Sequence, residues 1–194
     1  MAEFITSDLH IGHANIWKPE YANRPVSSTE EHDEFLVSNW NEIVRPEDFI
    51  YVLGDVCMGK IAESLPRLGS LNGTKILVFG NHDRMFHPKN ETQLTRWMTE
   101  YGQYFNEITN EMVWNGEILF NHFPYQGDHT EEIRFLEDRP KNEGMWLCHG
   151  HIHSKEFRSG PRQIHIGVDA EIANFAPIPM ELIIEEVTNN GIDS

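Results

Sequence analysis

The sequence predicts an α/β domain in which mixed β-sheets are covered by helices and polar loops at strand ends form the site. Three observations support this. Short apolar runs rich in Ile, Val and Phe recur, each passing at once into polar residues and glycine. Between the early runs lie longer stretches with helical spacing. In the second half the pattern changes to a hairpin signal, so antiparallel pairing begins there. With 194 residues, 39% of them hydrophobic, the chain can bury one substantial core, and a single domain over residues 1–194 is expected.

Taken in order, Phe4 and Ile5, then residues 49–53 and 75–79, read as strands that run into loops. Residues 28–44 read as a helix. Ser28 or Thr29 caps it, Glu30, Glu31 and Asp33 suit its positive end, and Phe35, Leu36, Trp40, Ile43 and Val44 form an apolar face. A second helix over residues 61–71 is weakened by Pro66, and a third over 91–101 stops before Gly102. Asn115-Gly116 joins strands at 111–114 and 117–121 in a tight turn. Beyond the hairpin the spacing predicts strands over 145–148, 163–168 and 180–187, and a short helix around 131–137 within the long segment 124–144.

Charge and composition narrow the function classes. A net charge of −16 and a pI near 5.0 repel a nucleic-acid backbone, so stable duplex binding is not expected. No apolar run approaches the roughly 20 residues of a membrane span, so no membrane partner is expected. Cys57 and Cys148 stand without a paired framework, and MAEFITSDLH lacks the pattern of a signal peptide, which together suit the reducing cytoplasm.

Chemistry concentrates where strands end. Asp8 and His10 follow the first strand, Asp55 the second, Asn81 and His82 the third within Gly-Asn-His-Asp at 80–83, and His122 the hairpin. His149, His151 and His153 follow the strand at 145–148. A lone Gly-Asp at a strand end is ordinarily a turn, and an isolated Asp-x-His ordinarily a solvated loop. Five such pieces in one short chain, each after an apolar run, are poorly explained by chance and point to a metal centre. Two divalent ions about 3.5–4 Å apart need a bridging carboxylate, and a water shared between them becomes hydroxide near neutral pH. Oxygen and imidazole donors without thiolate suit manganese, iron, zinc, cobalt or nickel better than calcium.

In this order the motifs resemble the signature of the calcineurin-like metallophosphoesterases: Asp-x-His, Gly-Asp, Gly-Asn-His-Asp/Glu, His and Gly-His-x-His. The matching residues are Asp8-Leu9-His10, Gly54-Asp55, Gly80-Asn81-His82-Asp83, His122 and Gly150-His151-Ile152-His153, and the resemblance spans residues 4 to about 170. Since the glycine precedes both histidines in that pattern, His151 and His153 are selected and His149 becomes a neighbour. The resemblance implies a sandwich of two mixed β-sheets flanked by helices, holding two divalent metal ions. It implies that Asp8, His10 and His153 complete one metal site, that Asn81, His122 and His151 complete the other, and that Asp55 is shared. His82 would face the substrate and protonate the leaving oxygen, with Asp83 holding its ring, an arrangement worth about 10²–10⁴-fold in rate.

Substrate contacts are less specific. His13 lies near the first ligand pair and suits either a phosphate oxygen or a helix start. Arg24 and Arg84 suit either a phosphate clamp or a salt bridge, and Phe123-Pro124-Tyr125 would wall the second metal site. Family members that dephosphorylate proteins carry Gly-Asp-x-x-Asp-Arg-Gly, whereas this chain reads Gly54-Asp55-Val56-Cys57-Met58-Gly59 and lacks that arginine. The expected substrate is therefore a small phosphodiester, with 2′,3′-cyclic nucleotides foremost, cleaved by hydroxide bridging the metals. The rival readings are a nuclease or phosphomonoesterase with the same site, and a non-catalytic metal-binding scaffold for a protein partner.

Overall fold

The computed structural model describes residues 1–190, whose strands form two five-stranded sheets. In the first sheet β1 (Glu3–Thr6), β2 (Phe49–Val52), β3 (Thr74–Val78) and β4 (Glu107–Thr109) run parallel in that order. Helix α1 (Thr29–Ile43) connects β1 to β2, the short α2 (Ile61–Ser64) with a 3-10 turn over Leu65–Ser70 connects β2 to β3, and α3 (Glu91–Tyr101) connects β3 to β4. In the second sheet β5 (Met112–Trp114) pairs antiparallel with β6 (Ile118–Phe120), which runs parallel to β7 (Trp146–His149). Strand β9 (Gln163–His165) then lies parallel to β7, and β8 (Arg158–Gly160) closes the edge antiparallel to β9. Finally β10 (Ile178–Pro179) pairs antiparallel with β1, and α4 (Met180–Asn190) follows.

Strand alternation builds two cores from the first sheet. Phe4, Ile50, Val52 and Leu77 face one way and meet Leu36, Trp40, Leu68 and Tyr101 from the helical layer. Ile5, Tyr51, Leu53 and Val78 face the other way and meet Ile118, Phe120, Cys148 and Ile164 of the second sheet. Ser28 caps α1 as expected, accepting the Glu31 amide, and Asn90 caps α3 by accepting that of Gln93. Pro66 offers no amide hydrogen, and the chain tightens from α2 into the 3-10 turn around it. Asn115 and Gly116 both take left-handed backbone angles, φ 47° and 77°, which a two-residue hairpin requires.

Two expectations are corrected. Residues 180–187 are helical, because Met180, Ile183 and Val187 fall on one helical face against the second core while Glu181 and Glu185 stay exposed. Residues 131–137 form turns rather than a helix. Asp128 accepts the Arg134 amide at 3.0 Å and binds the guanidinium groups of Arg134 and Arg139, and Phe135 takes φ 57°, which a continuous helix excludes. Strands β4, β8 and β10 had no counterpart in the sequence pattern. Cys57 and Cys148 are buried and unpaired, and among the described residues no helix is long and apolar enough to cross a membrane.

Candidate metal centre

The loops after β1 and β2 run side by side and carry the ladder beyond the sheet: the amides of Asp8, His10 and Ile11 donate to the carbonyls of Gly54, Asp55 and Val56. That places Asp8 and His10 beside Asp55. From the second sheet, the Gly150 amide donates to the His122 carbonyl, and the Val168 amide donates to Ser7, which ties the ends of the two sheets together. The three glycines that directly precede expected ligands, Gly54, Gly80 and Gly150, act through close approach. A side chain at Gly80 would meet Asp55 Oδ1 and His122 Nδ1, and one at Gly150 would meet Ser7 and the Asp8 carboxylate.

All seven residues expected as ligands converge. Asp55 Oδ2 lies 3.5 Å from His122 Nε2 and 3.7 Å from His10 Nε2, while His10 Nε2 is 3.9 Å from Asp8 Oδ1. Asp8, His10 and His153 bring donor atoms within 4.8 Å of one another, as do Asp8, Asp55 and His122. Asn81 Oδ1 stands 3.0 Å from both His122 Nε2 and His151 Nδ1. Five of the seven, Asp8, His10, Asp55, His151 and His153, have φ between 49° and 71°, so backbone strain is gathered at the residues that form the centre.

These donors fit divalent cations. His122 Nδ1 donates to the Leu53 carbonyl at 2.8 Å, which fixes the ring with Nε2 facing Asp55 and Asn81. His153 Nδ1 donates to Asp169 at 2.8 Å and likewise frees Nε2. Both nitrogens of His10 are buried without a hydrogen-bond partner, and burial together with His153 and Arg24 holds the ring neutral. Burial pushes the Asp55 carboxyl up to about 7; His122 opposes that shift, while Asp8 and Asp83 reinforce it. Carboxylates crowded in this way are relieved by positive charge, supplied by a proton or by a bound cation. His149 does not join them: it is fully buried, with Nδ1 on the Gly150 carbonyl and Nε2 on Ser159.

Several expected roles change. Asp83 does not hold the His82 ring. Its carboxylate accepts the amides of Asp55, Val56 and Gly80 at 2.9, 3.2 and 2.8 Å, so it shapes the two ligand loops instead. His82 donates its amide to Asp55 Oδ1, its side chain is 44% exposed, and Nε2 lies 3.9 Å from Asp55 Oδ2. Partial burial and the neighbouring His122 push its ring down to about 4. Arg24 cannot reach a substrate. It is fully buried, binding Asp169 through two nitrogens, the carbonyls of Asp8 and Leu9, and His32. His13 stays beside the centre, half-buried with its ring 5.7 Å from that of His10, and accepts the Asn15 amide. Arg84 is exposed next to His82, its guanidinium 5.8 Å over the Trp97 ring. Phe123 is buried 5.1 Å from the His151 ring and forms the expected wall, whereas Tyr125 turns to the Met145 carbonyl.

Asp169 and Asp128 are additional residues of the centre. Burial opposes ionisation of Asp169, but Arg24 and His153 outweigh it and hold the carboxyl well below the usual range. Like the ligands, Asp169 follows directly on an apolar run, residues 163–168, and that was its signal in the sequence. Asp128 Oδ1 lies 3.3 Å from His151 Nε2, on the side of the ring away from Asn81. Two guanidinium groups already balance Asp128, which flanks His151 together with His129.

Comparison with known proteins agrees with this geometry. A family model described as calcineurin-like phosphoesterase matches residues 4–178. The chain is 39% identical over 180 residues to the Gene 66 protein of Mycobacterium phage D29, covering 86% of this chain and 87% of that one. It is 31% identical over 195 residues to an uncharacterized protein of Methanocaldococcus jannaschii, covering 97% of this chain and 93% of that one. A solved structure of a protein of unknown function from Aquifex aeolicus is 26% identical, with a TM-score of 0.66, and the match covers 95% of this chain and 98% of that one. The ordered motifs, the two mixed sheets and the family match agree: the chain belongs to the calcineurin-like phosphoesterases.

Proposed function

We propose that the protein hydrolyses small phosphodiesters, 2′,3′-cyclic nucleotides first among them, with two divalent cations as cofactor. The observation that carries this reading is the position of Asp55, whose Oδ2 stands between His122 at 3.5 Å and His10 at 3.7 Å, one from each sheet. Asp8, His10, His153 and Asp55 would hold one cation, and Asp55, Asn81, His122 and His151 the other. When bound, the pair supplies Lewis acidity and an activated water. Asp169 and Asp128 keep the rings of His153 and His151 turned to their task. His82 presents an exposed ring at the rim, from which an N–H can donate to the leaving oxygen, and an approaching phosphate anion favours its protonated form. The missing arginine after Asp55 speaks for diesters over phosphoproteins.

The test uses protein stripped of metal and reloaded with manganese, assayed on bis-(p-nitrophenyl) phosphate, p-nitrophenyl phosphate and 2′,3′-cyclic AMP. Turnover of the diesters should require metal, fall about 10²–10⁴-fold in His82→Ala and vanish in Asp55→Asn. No turnover of any substrate by protein that holds two ions would overturn the reading in favour of a binding scaffold.

A further inference from the structure

A groove of about 480 Å³ adjoins the metal centre, lined by Asn81 and His82 together with Arg84, Lys89 and Trp97. Its size is that of a small-molecule site. Although the chain carries 31 acidic residues against 15 basic, the lining contains one carboxylate, Asp83, which is buried and committed to three backbone amides. Six other basic side chains, Lys60, Arg67, Arg96, Arg134, Arg139 and Arg158, each pair with a carboxylate. Arg84 and Lys89 pair with none among the described residues, and Trp97 steadies the Arg84 guanidinium from 5.8 Å. His87, at the same wall, is taken up by Asp138 at 2.7 Å. Two cations in the wall of one groove, with no free carboxylate in its lining, are a local field that attracts an anion.

We propose that this groove binds a second phosphate of the substrate, on the leaving-oxygen side of the scissile ester. The inference rests on the phosphodiester reading above. His82 both lines the groove and lies 3.9 Å from Asp55, so a leaving group whose oxygen meets His82 can extend into the groove. The scissile diester is a monoanion that the metals receive, whereas a terminal phosphate is close to a dianion, which Arg84 and Lys89 balance. The substrate class is then a nucleotide that carries a phosphate besides its diester, such as a nucleoside 2′,3′-cyclic phosphate with a 5′-phosphate.

The experiment compares adenosine 2′,3′-cyclic phosphate with and without a 5′-phosphate, using manganese-loaded protein and the Arg84→Gln/Lys89→Gln double variant. Both side chains are exposed, so the variant should fold. The 5′-phosphate should raise kcat/KM about tenfold, mainly through KM, with the advantage shrinking as salt is added and disappearing in the double variant. Equal turnover of the two substrates, or an advantage that survives in the double variant, would overturn the subsite and leave the phosphodiester reading standing. If bis-(p-nitrophenyl) phosphate and both nucleotides are all left intact, the phosphodiester reading fails and the subsite falls with it.

Discussion

Asp169 links a structural pair to the metal centre: one carboxylate accepts Nδ1–H from His153 at 2.8 Å and binds the buried Arg24 guanidinium at 2.9 and 3.0 Å. Replacing it with asparagine keeps the shape but leaves Arg24 charged and unmatched in the interior, and weakens the hold on the His153 ring. Asp169→Asn should therefore lower metal affinity about 10–100-fold in competition with a chelator and destabilise the fold by about 3–5 kcal/mol in urea. Wild-type affinity in this variant would show that His153 needs no such partner. The candidate ligands were legible in the sequence because they cluster where apolar runs meet polar loops, and the resemblance chose His151 and His153 over the neighbouring His149. Their orienting partners were not, since Arg24 and Asp169 meet across 145 positions. Of the two readings open for Arg24, a phosphate clamp or a salt bridge, only its burial selects the second. Asp83 was misread because adjacency to His82 in sequence does not make two side chains neighbours.

Among the elements, α4 shows how a short apolar segment can satisfy two periods at once. Met180, Leu182 and Ile184 alternate as in a strand, whereas Met180, Ile183 and Val187 fall at helical spacing. The two readings bury different residues, and only the helix puts Ile183 in the second core at 0% exposure while Leu182 stays 37% exposed. Ile183→Ala should cost about 2–5 kcal/mol in denaturant unfolding, and Leu182→Ala should stay within about 0.5 kcal/mol of wild type. Equal losses at the two positions would contradict the helix. Residues with local signals were readable: the Ser28 cap, the Asn115-Gly116 turn and the strands leading to the candidate ligands. The edge strands β4, β8 and β10 have two or three residues each, too few for alternation to register, and exist because a neighbouring strand pairs with them.

At the scale of the molecule, the proposed metal pair is also a joint. Asp8, His10, Asp55 and Asn81 come from loops of the first sheet, while His122, His151 and His153 come from the second. Each metal site draws ligands from both sheets, so a bound cation favours the native arrangement over any state in which the sheets separate. Ligand binding to the native state alone at a hundredfold over its Kd adds about 2.7 kcal/mol. For a domain of this size each kcal/mol moves Tm by about 2–4 °C, so saturation of one site should raise Tm by roughly 5–10 °C. Manganese should produce that shift in metal-stripped protein and a chelator should reverse it, as read by calorimetry. The stripped protein should remain folded, because the two apolar cores bury their residues without help from the ligands. In Asp55→Asn the shared carboxylate is gone, so most of the manganese shift should be lost with it. A shift of the same size in that variant would mean the cation acts somewhere other than the seam between the sheets, and absence of any shift in the wild type would mean that the loops do not act together as a metal centre.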